Sequence, residues 1–141
     1  MKIVSSTLKL CLLLSATALA SSPATARTKS AVEKRYSSTY NYCMSVGDAA
    51  EGESNAVMFC NGNEINQQDA RLNQAYKMVM NKLTDSQKTA LRSSERIWIK
   101  SRDAACVKSG EEVGGTLGSA VYSTCILNKT IERTMYLENH Q

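Results

Sequence analysis

Residues 63–87 read NEINQQDARLNQAYKMVMNKLTDSQ, and two features of this stretch decide the fold. Ile65, Leu72, Tyr76, Val79 and Leu83 recur at spacings of seven, four, three and four, which places them on one stripe of an α-helix. Thr84 and Gln87 then stand three apart, the spacing of a capping box that opens a new helix. One helix is therefore expected from about Asn63 to Leu83, with Asn61-Gly62-Asn63 as its turn and N-cap. A second is expected from Thr84 through Leu91, Trp98 and Ala105 to Cys106. So little chain separates them that the pair should form an antiparallel hairpin.

Outward from this hairpin, the chain's single proline is Pro23, so glycines must punctuate the rest. They fall at Gly47, Gly52, Gly62, Gly110, Gly114, Gly115 and Gly118. A first helix around Ala31 to Val46 carries Tyr36, Tyr40 and Cys43. A short helical turn is expected around Ser54 to Phe59. A last helix from about Ser119 to Glu138 carries Leu127, Ile131, Thr134 and Tyr136. The reading is an all-α, four-helix up-and-down bundle, with no internal repeat or low-complexity tract.

The N-terminus has a different character. Met1-Lys2 precedes an apolar stretch from Leu8 to Ala20 that is too short to span a bilayer, followed by the small residues of Ala24-Thr25-Ala26. This pattern marks a cleavable signal peptide, residues 1–26, with cleavage after Ala20 as the second choice. Cys11 lies at the start of the apolar stretch and would leave with it. Removing 26 residues from a chain of 141 leaves 115, enough for one domain, residues 27–141, and one core. The whole chain carries 17 basic and 13 acidic residues, and losing Lys2 and Lys9 reduces its net charge from +4 to +2. That balance is too weak to imply nucleic acid as a partner. No membrane insertion is expected after cleavage.

An exported chain folds where disulfides persist. Cys43, Cys60, Cys106 and Cys125 remain, and four cysteines allow three connectivities. Sequence does not choose among them; Cys43 with Cys60 and Cys106 with Cys125 is favoured because each pair closes a loop holding turn-forming residues. In an up-and-down bundle both bridges would sit at one pole. No Cys-x-x-Cys occurs and His140 is the only histidine, so neither a metal nor another cofactor is expected.

Catalysis needs a nucleophile with a base, a metal, or paired carboxylates in a cleft. His140 lies next to the C-terminal residue, where chains fray, and no Ser-His or Cys-His relay can be assembled without it. Glu111-Glu112, or Asp69 with Asp103, could supply paired carboxylates, but in no recognisable setting. A non-enzymatic protein is expected. The sequon at Asn128-Lys129-Thr130 reads as chance.

From Asp69 the chain runs Asp69-x-x-Leu72-Asn73-x-x-Tyr76, then Leu83, Leu91, and Arg96-x-Trp98-Ile99-x-x-Arg102-Asp103-x-x-Cys106. Gly114-Gly115-Thr116, Cys125 and Thr130-x-x-Arg133 follow. Over roughly residues 43–137 this resembles the LprI-type domain of secreted and periplasmic bacterial proteins, named after a lysozyme inhibitor. It departs from the pattern at Glu95, where a glutamine would be expected, and in having no lipid-attachment cysteine. The resemblance implies an all-helical domain and, for some members, inhibition of lysozyme. Function does not follow from fold alone. An immunity protein against a peptidoglycan-targeting toxin, and a structural envelope module with no enzyme target, are the alternatives.

Read physically, the motif is structural. Trp98 and Arg102 are four apart, so the guanidinium can lie over the indole, and Arg102 can reach Asp69 on the neighbouring helix. Asp69, Asn73, Tyr76, Trp98, Arg102 and Asp103 are expected to hold helices together, with Trp98 buried against the second. Binding is expected elsewhere. The segment between Cys43 and Cys60 carries Asp48, Glu51 and Glu53 and no Lys or Arg, a charge of −3. That between Cys106 and Cys125 carries Glu111 and Glu112 against Lys108, a charge of −1, beside the Gly114-Gly115 turn. If both lie at one pole, that pole could steer a cationic protein partner, a lysozyme or another peptidoglycan hydrolase. Oligomeric state is not encoded in any feature read here.

Overall fold

The computed structural model describes residues 30–140. The expected signal peptide and its cleavage site lie outside the described residues. The described chain is helical, with elements α1 (Ser38–Cys43), α2 (Gly47–Ala50), α3 (Ser54–Met80), α4 (Asp85–Val113) and α5 (Gly115–Glu138), preceded by a single 3₁₀ turn at Glu33–Arg35. The all-α class and both disulfides, Cys43–Cys60 and Cys106–Cys125, are as expected.

The first helix is broken where the sequence reading had it continuous. Ser37 is an extended N-cap whose hydroxyl accepts from the Tyr40 amide, and Val46 is extended again before Gly47. The second helix begins earlier than expected. Asn61-Gly62-Asn63 lies inside α3, which is capped instead by Glu53, whose carboxylate accepts from the Ala56 amide at 2.8 Å. The Thr84–Gln87 capping box is present in full at the start of α4. That helix continues past Cys106 to Val113. Gly114 and Gly115 then take positive φ, and the chain reverses directly into α5.

Helix directions follow from cross-contacts. Asn61 bonds Ser123 and Thr124 near the starts of α3 and α5, and Val79 packs with Leu137 near their ends, so these helices run parallel. Glu95 meets Arg133 and Cys106 meets Cys125, so α4 runs antiparallel to α5. Up-and-down order is thus kept, but the hairpin partners α3 and α4 do not form the main interface. Both pack chiefly on α5, which lies between them. Its buried residues Ile126, Leu127, Thr130, Ile131, Thr134 and Leu137 form one helical stripe. At the α4–α5 end the backbones approach so closely that a Cβ on Gly118 would lie 2.4 Å from the Gly110 carbonyl oxygen. Only glycine fits there.

The apolar core has two parts. Tyr40, Ala49, Cys60, Leu127 and Ile131 form one cluster; Ala75, Val79 and Leu137 form the other, with Leu72, Tyr76, Leu83 and Leu91 against it. Buried polar residues accompany the first. Asn61 accepts from the Tyr40 hydroxyl at 2.9 Å and donates to Ser123 Oγ at 2.8 Å and Thr124 Oγ1 at 2.9 Å. Glu64 accepts from the Ser37 amide at 2.9 Å, the Ser37 hydroxyl at 2.5 Å and Gln68 Nε2 at 2.6 Å. Among the described residues no buried side-chain polar atom lacks a partner.

Candidate functional site

The short helices matter because of what they hold open. Cys43 closes α1 and Cys60 lies in the second turn of α3, and their disulfide brings the two segments to a Cα–Cα distance of 5.9 Å. The residues preceding each cysteine are Tyr42 and Phe59. Both remain 69% exposed and face a groove of about 440 Å³ whose apolar lining includes Val46, Ala49 and Ala56. Tyr40 lies in the groove wall and is held from behind by Asn61. Burial, and secondarily the neighbouring Tyr36 and Glu64, pushes its phenol up to about 12, so it stays a hydrogen-bond donor. Two exposed aromatics on a disulfide-tied, hydrogen-bonded base form a preorganised contact surface.

An acidic segment runs past this groove. Asp48 lines it, and Glu51 and Glu53 follow in the exposed link to α3. Glu53 has a structural duty as well: the hydrogen bond from the Ala56 amide, then that from Asn55, holds its carboxyl below the usual range. Glu111 and Glu112 are not loop residues, as the sequence reading had them, but occupy the last turn of α4 before Gly114-Gly115. Gly52 and Val57 line one cavity with Ser109, Leu117 and Val121, so the α2–α3 link and the α4–α5 turn occupy the same end of the molecule. The residues Asp48, Glu51, Glu53, Glu111, Glu112, Gly114 and Gly115 therefore gather at one pole, together with both disulfides. At the C-terminal end of α4, two carboxylates oppose the helix dipole, and only the marginal Lys108–Glu112 contact at 3.9 Å offsets them.

The motif residues form a separate cluster. Arg102 lies 5.0 Å from the Trp98 ring centroid, the stacking that their spacing allows. Arg133 approaches the same ring at 5.6 Å and pairs with Glu95 at 2.6 Å, both side chains being nearly buried. Glu95 thus gives Arg133 a two-oxygen acceptor, Oε1 taking Nε and a terminal nitrogen and Oε2 taking Nε at 3.3 Å. Two expectations are corrected here. Arg102 pairs with the adjacent Asp103 at 2.9 Å and donates to Thr130 at 3.3 Å, making no direct ion pair with Asp69. The reason is that α5 separates α3 from α4. Partial burial pushes the Asp69 carboxyl up despite the opposing field of Arg102. Likewise Trp98 is half-buried between guanidinium groups of α4 and α5, not buried against α3. Trp98→Ala is therefore expected to cost about 2 kcal/mol in a urea titration, less than a fully buried indole would. Asn73 is exposed and Tyr76 packs at the edge of the second cluster.

The sequence reading singled out neither Tyr42 nor Phe59 as a binding residue. The available signal was adjacency: Tyr42-Cys43 and Phe59-Cys60 are aromatic–cysteine pairs, and with the favoured bridge formed both aromatics line one groove. The amide oxygen of Asn128, in the sequon, accepts from the Tyr36 hydroxyl at 2.5 Å. His140 is exposed and bonds the Tyr136 carbonyl. Among the described residues no group of three or more His, Cys, Asp or Glu is placed to hold a metal ion, and no described helix is long and apolar enough to cross a membrane.

No curated protein and no solved structure matches the chain. The model of one family, lysozyme inhibitor LprI, matches residues 43–137, a span that contains both disulfides, the acidic pole, the Trp98 cluster and most of the groove, whose Tyr40 and Tyr42 lie just before it. By that match over most of its length, the chain belongs to the lysozyme inhibitor LprI family.

Proposed function

We propose that this is an exported, non-enzymatic protein, periplasmic or secreted, that binds and inhibits a cell-wall-degrading enzyme, a lysozyme first among them. The observation that carries the reading is the groove: Tyr42 and Phe59 stand exposed beside an acidic pole, in a chain whose family is that of a lysozyme inhibitor. Large aromatics on a rigid base are typical binding anchors. The acids would steer a cationic enzyme and settle against its basic rim, while the anchors fill the neighbouring depression and block access to the cleft. Residues 27–141 would act as one domain in this role.

Reversal of the pole's charge tests the reading. Glu51→Lys, Glu111→Lys and Glu112→Lys are combined, and Glu53 is left as the α3 cap. Inhibition of lysozyme by the variant is expected to weaken about tenfold or more at low salt, the deficit shrinking as salt screens both proteins. Melting should not fall. The two α4 substitutions place cations at a helix C-terminus and should each stabilise by about 0.3–1 kcal/mol. Undiminished inhibition by a folded variant would remove the acidic pole from the interface.

A further inference from the structure

We propose that the groove takes an arginine side chain of the protein partner, with its guanidinium against Asp48 and the Tyr42 and Phe59 rings and its methylene stem along the apolar wall. This deepens the function proposed above and rests on it only for which protein carries the arginine. None of the chain's 17 basic residues falls from Tyr36 to Ala70, the stretch that supplies the whole lining of the groove. Five acids do: Asp48, Glu51, Glu53, Glu64 and Asp69. The charged residues that line the groove are accordingly both acidic, Asp48 and Glu64. Asp48 is exposed, and Glu64 is buried with hydrogen bonds from Ser37 and Gln68, all neutral donors. Neither carboxylate is paired with a cation among the described residues.

The aromatic rings point to the same occupant. Elsewhere the protein covers its accessible rings with its own guanidinium groups: Arg102 lies 5.0 Å from the Trp98 centroid, and Arg133 lies 4.6 Å from that of Tyr136. Tyr42 and Phe59 are more exposed than Tyr136, yet they hold no cation and no ring partner among the described residues. A guanidinium is planar, stacks on an aromatic face and forks to a carboxylate, and its stem lies readily along apolar surface. A wholly apolar side chain would meet the walls and rings but give the carboxylates no partner. An ammonium group would meet the carboxylates but bring no plane to the rings.

The test needs no enzyme. Isotopically labelled, disulfide-bonded protein is titrated with Nα-acetyl-arginine amide and with its citrulline, lysine and norleucine counterparts. Citrulline keeps the shape without the charge, lysine the charge without the plane, and norleucine only the apolar stem. The arginine compound is expected to move the amide signals of Tyr42, Asp48 and Phe59, binding about tenfold or more tighter than the two neutral compounds and several-fold tighter than lysine. Asp48→Asn should weaken that binding about fivefold, and Tyr42→Ala with Phe59→Ala should abolish it, with the remaining signals in place. Equal binding of citrulline or norleucine would overturn the proposal by making the groove merely apolar, and equal binding of lysine by removing the choice of arginine. Arginine-induced shifts that avoid the groove, or full retention by Asp48→Asn, would overturn it as well. A groove that takes arginine in a protein that leaves lysozyme active would refute the function proposed above and leave this site standing. Inhibition of lysozyme without any response to the arginine compound would do the reverse.

Discussion

Asn61→Leu is expected to lower stability by about 3–4 kcal/mol, among the largest losses available to a single substitution in this chain. Leucine has the same branching as asparagine, so little cavity or overpacking is introduced and the effect is one of polarity. Asn61 is fully buried and has three hydroxyl partners. Ser123 retains a bond to the Ala120 carbonyl, but Tyr40 and Thr124 have no other side-chain partner to turn to. Leaving a buried hydroxyl unpaired costs about 1–3 kcal/mol. The measurement is a urea titration combined with a double-mutant cycle. Tyr40→Phe should cost distinctly less in the Asn61→Leu background than in the parent, because its hydroxyl has already lost its acceptor. Additive losses would show that the network does not act as a unit.

The second large effect concerns binding and should leave stability untouched. Tyr42→Ala with Phe59→Ala is expected to weaken inhibition of the target enzyme about a hundredfold or more, corresponding to roughly 3 kcal/mol of anchor energy. Both side chains are 69% exposed, so removing them sacrifices almost no core packing. The melting temperature should hold or rise slightly. Titration of inhibition and calorimetric melting on the same sample check both halves. A variant that inhibits as well as the parent would move the interface away from the groove. Because the aromatics contribute apolar area, their loss should persist at high salt, unlike that of the acidic pole.

How far the sequence carried can be judged element by element. The α3–α4 turn was legible because Thr84 and Gln87 form a local signal whose bonds stay within the turn. The start of α3 was not. Asn61-Gly62-Asn63 has the chemistry of a turn, yet Asn61 spends its side chain on hydroxyls of α1 and α5, and those tertiary bonds override its local preference. The buried face of α3 also includes Glu64 and Gln68, which an apolar-period reading must assign to solvent. The central place of α5 was hidden for a related reason: adjacency in sequence favours an α3–α4 pair, while the glycines that admit α5 so closely to α4 look like loop residues. Of the candidate site, the acidic pole could be read from charge and the disulfides from their loops. The groove required knowing that Tyr42 and Phe59, flanking the Cys43–Cys60 bridge, line one depression.

The place of α5 also sets the order of events as the chain is synthesised. It appears after α3 and α4, and it supplies Leu127, Ile131 and Leu137, each essentially inaccessible to solvent, to clusters that α3 and α4 cannot complete with each other. A chain halted before Gly115 has its long α3 and α4 but no partner for their inward faces, and Cys106 waits for a thiol not yet delivered. Cys43 and Cys60 emerge together and can join early, tying only their own segment. Collapse to the native core therefore waits for α5. A shortened chain that loses the final two turns of α5 should be cleared by proteases instead of persisting as a weakened form of the protein.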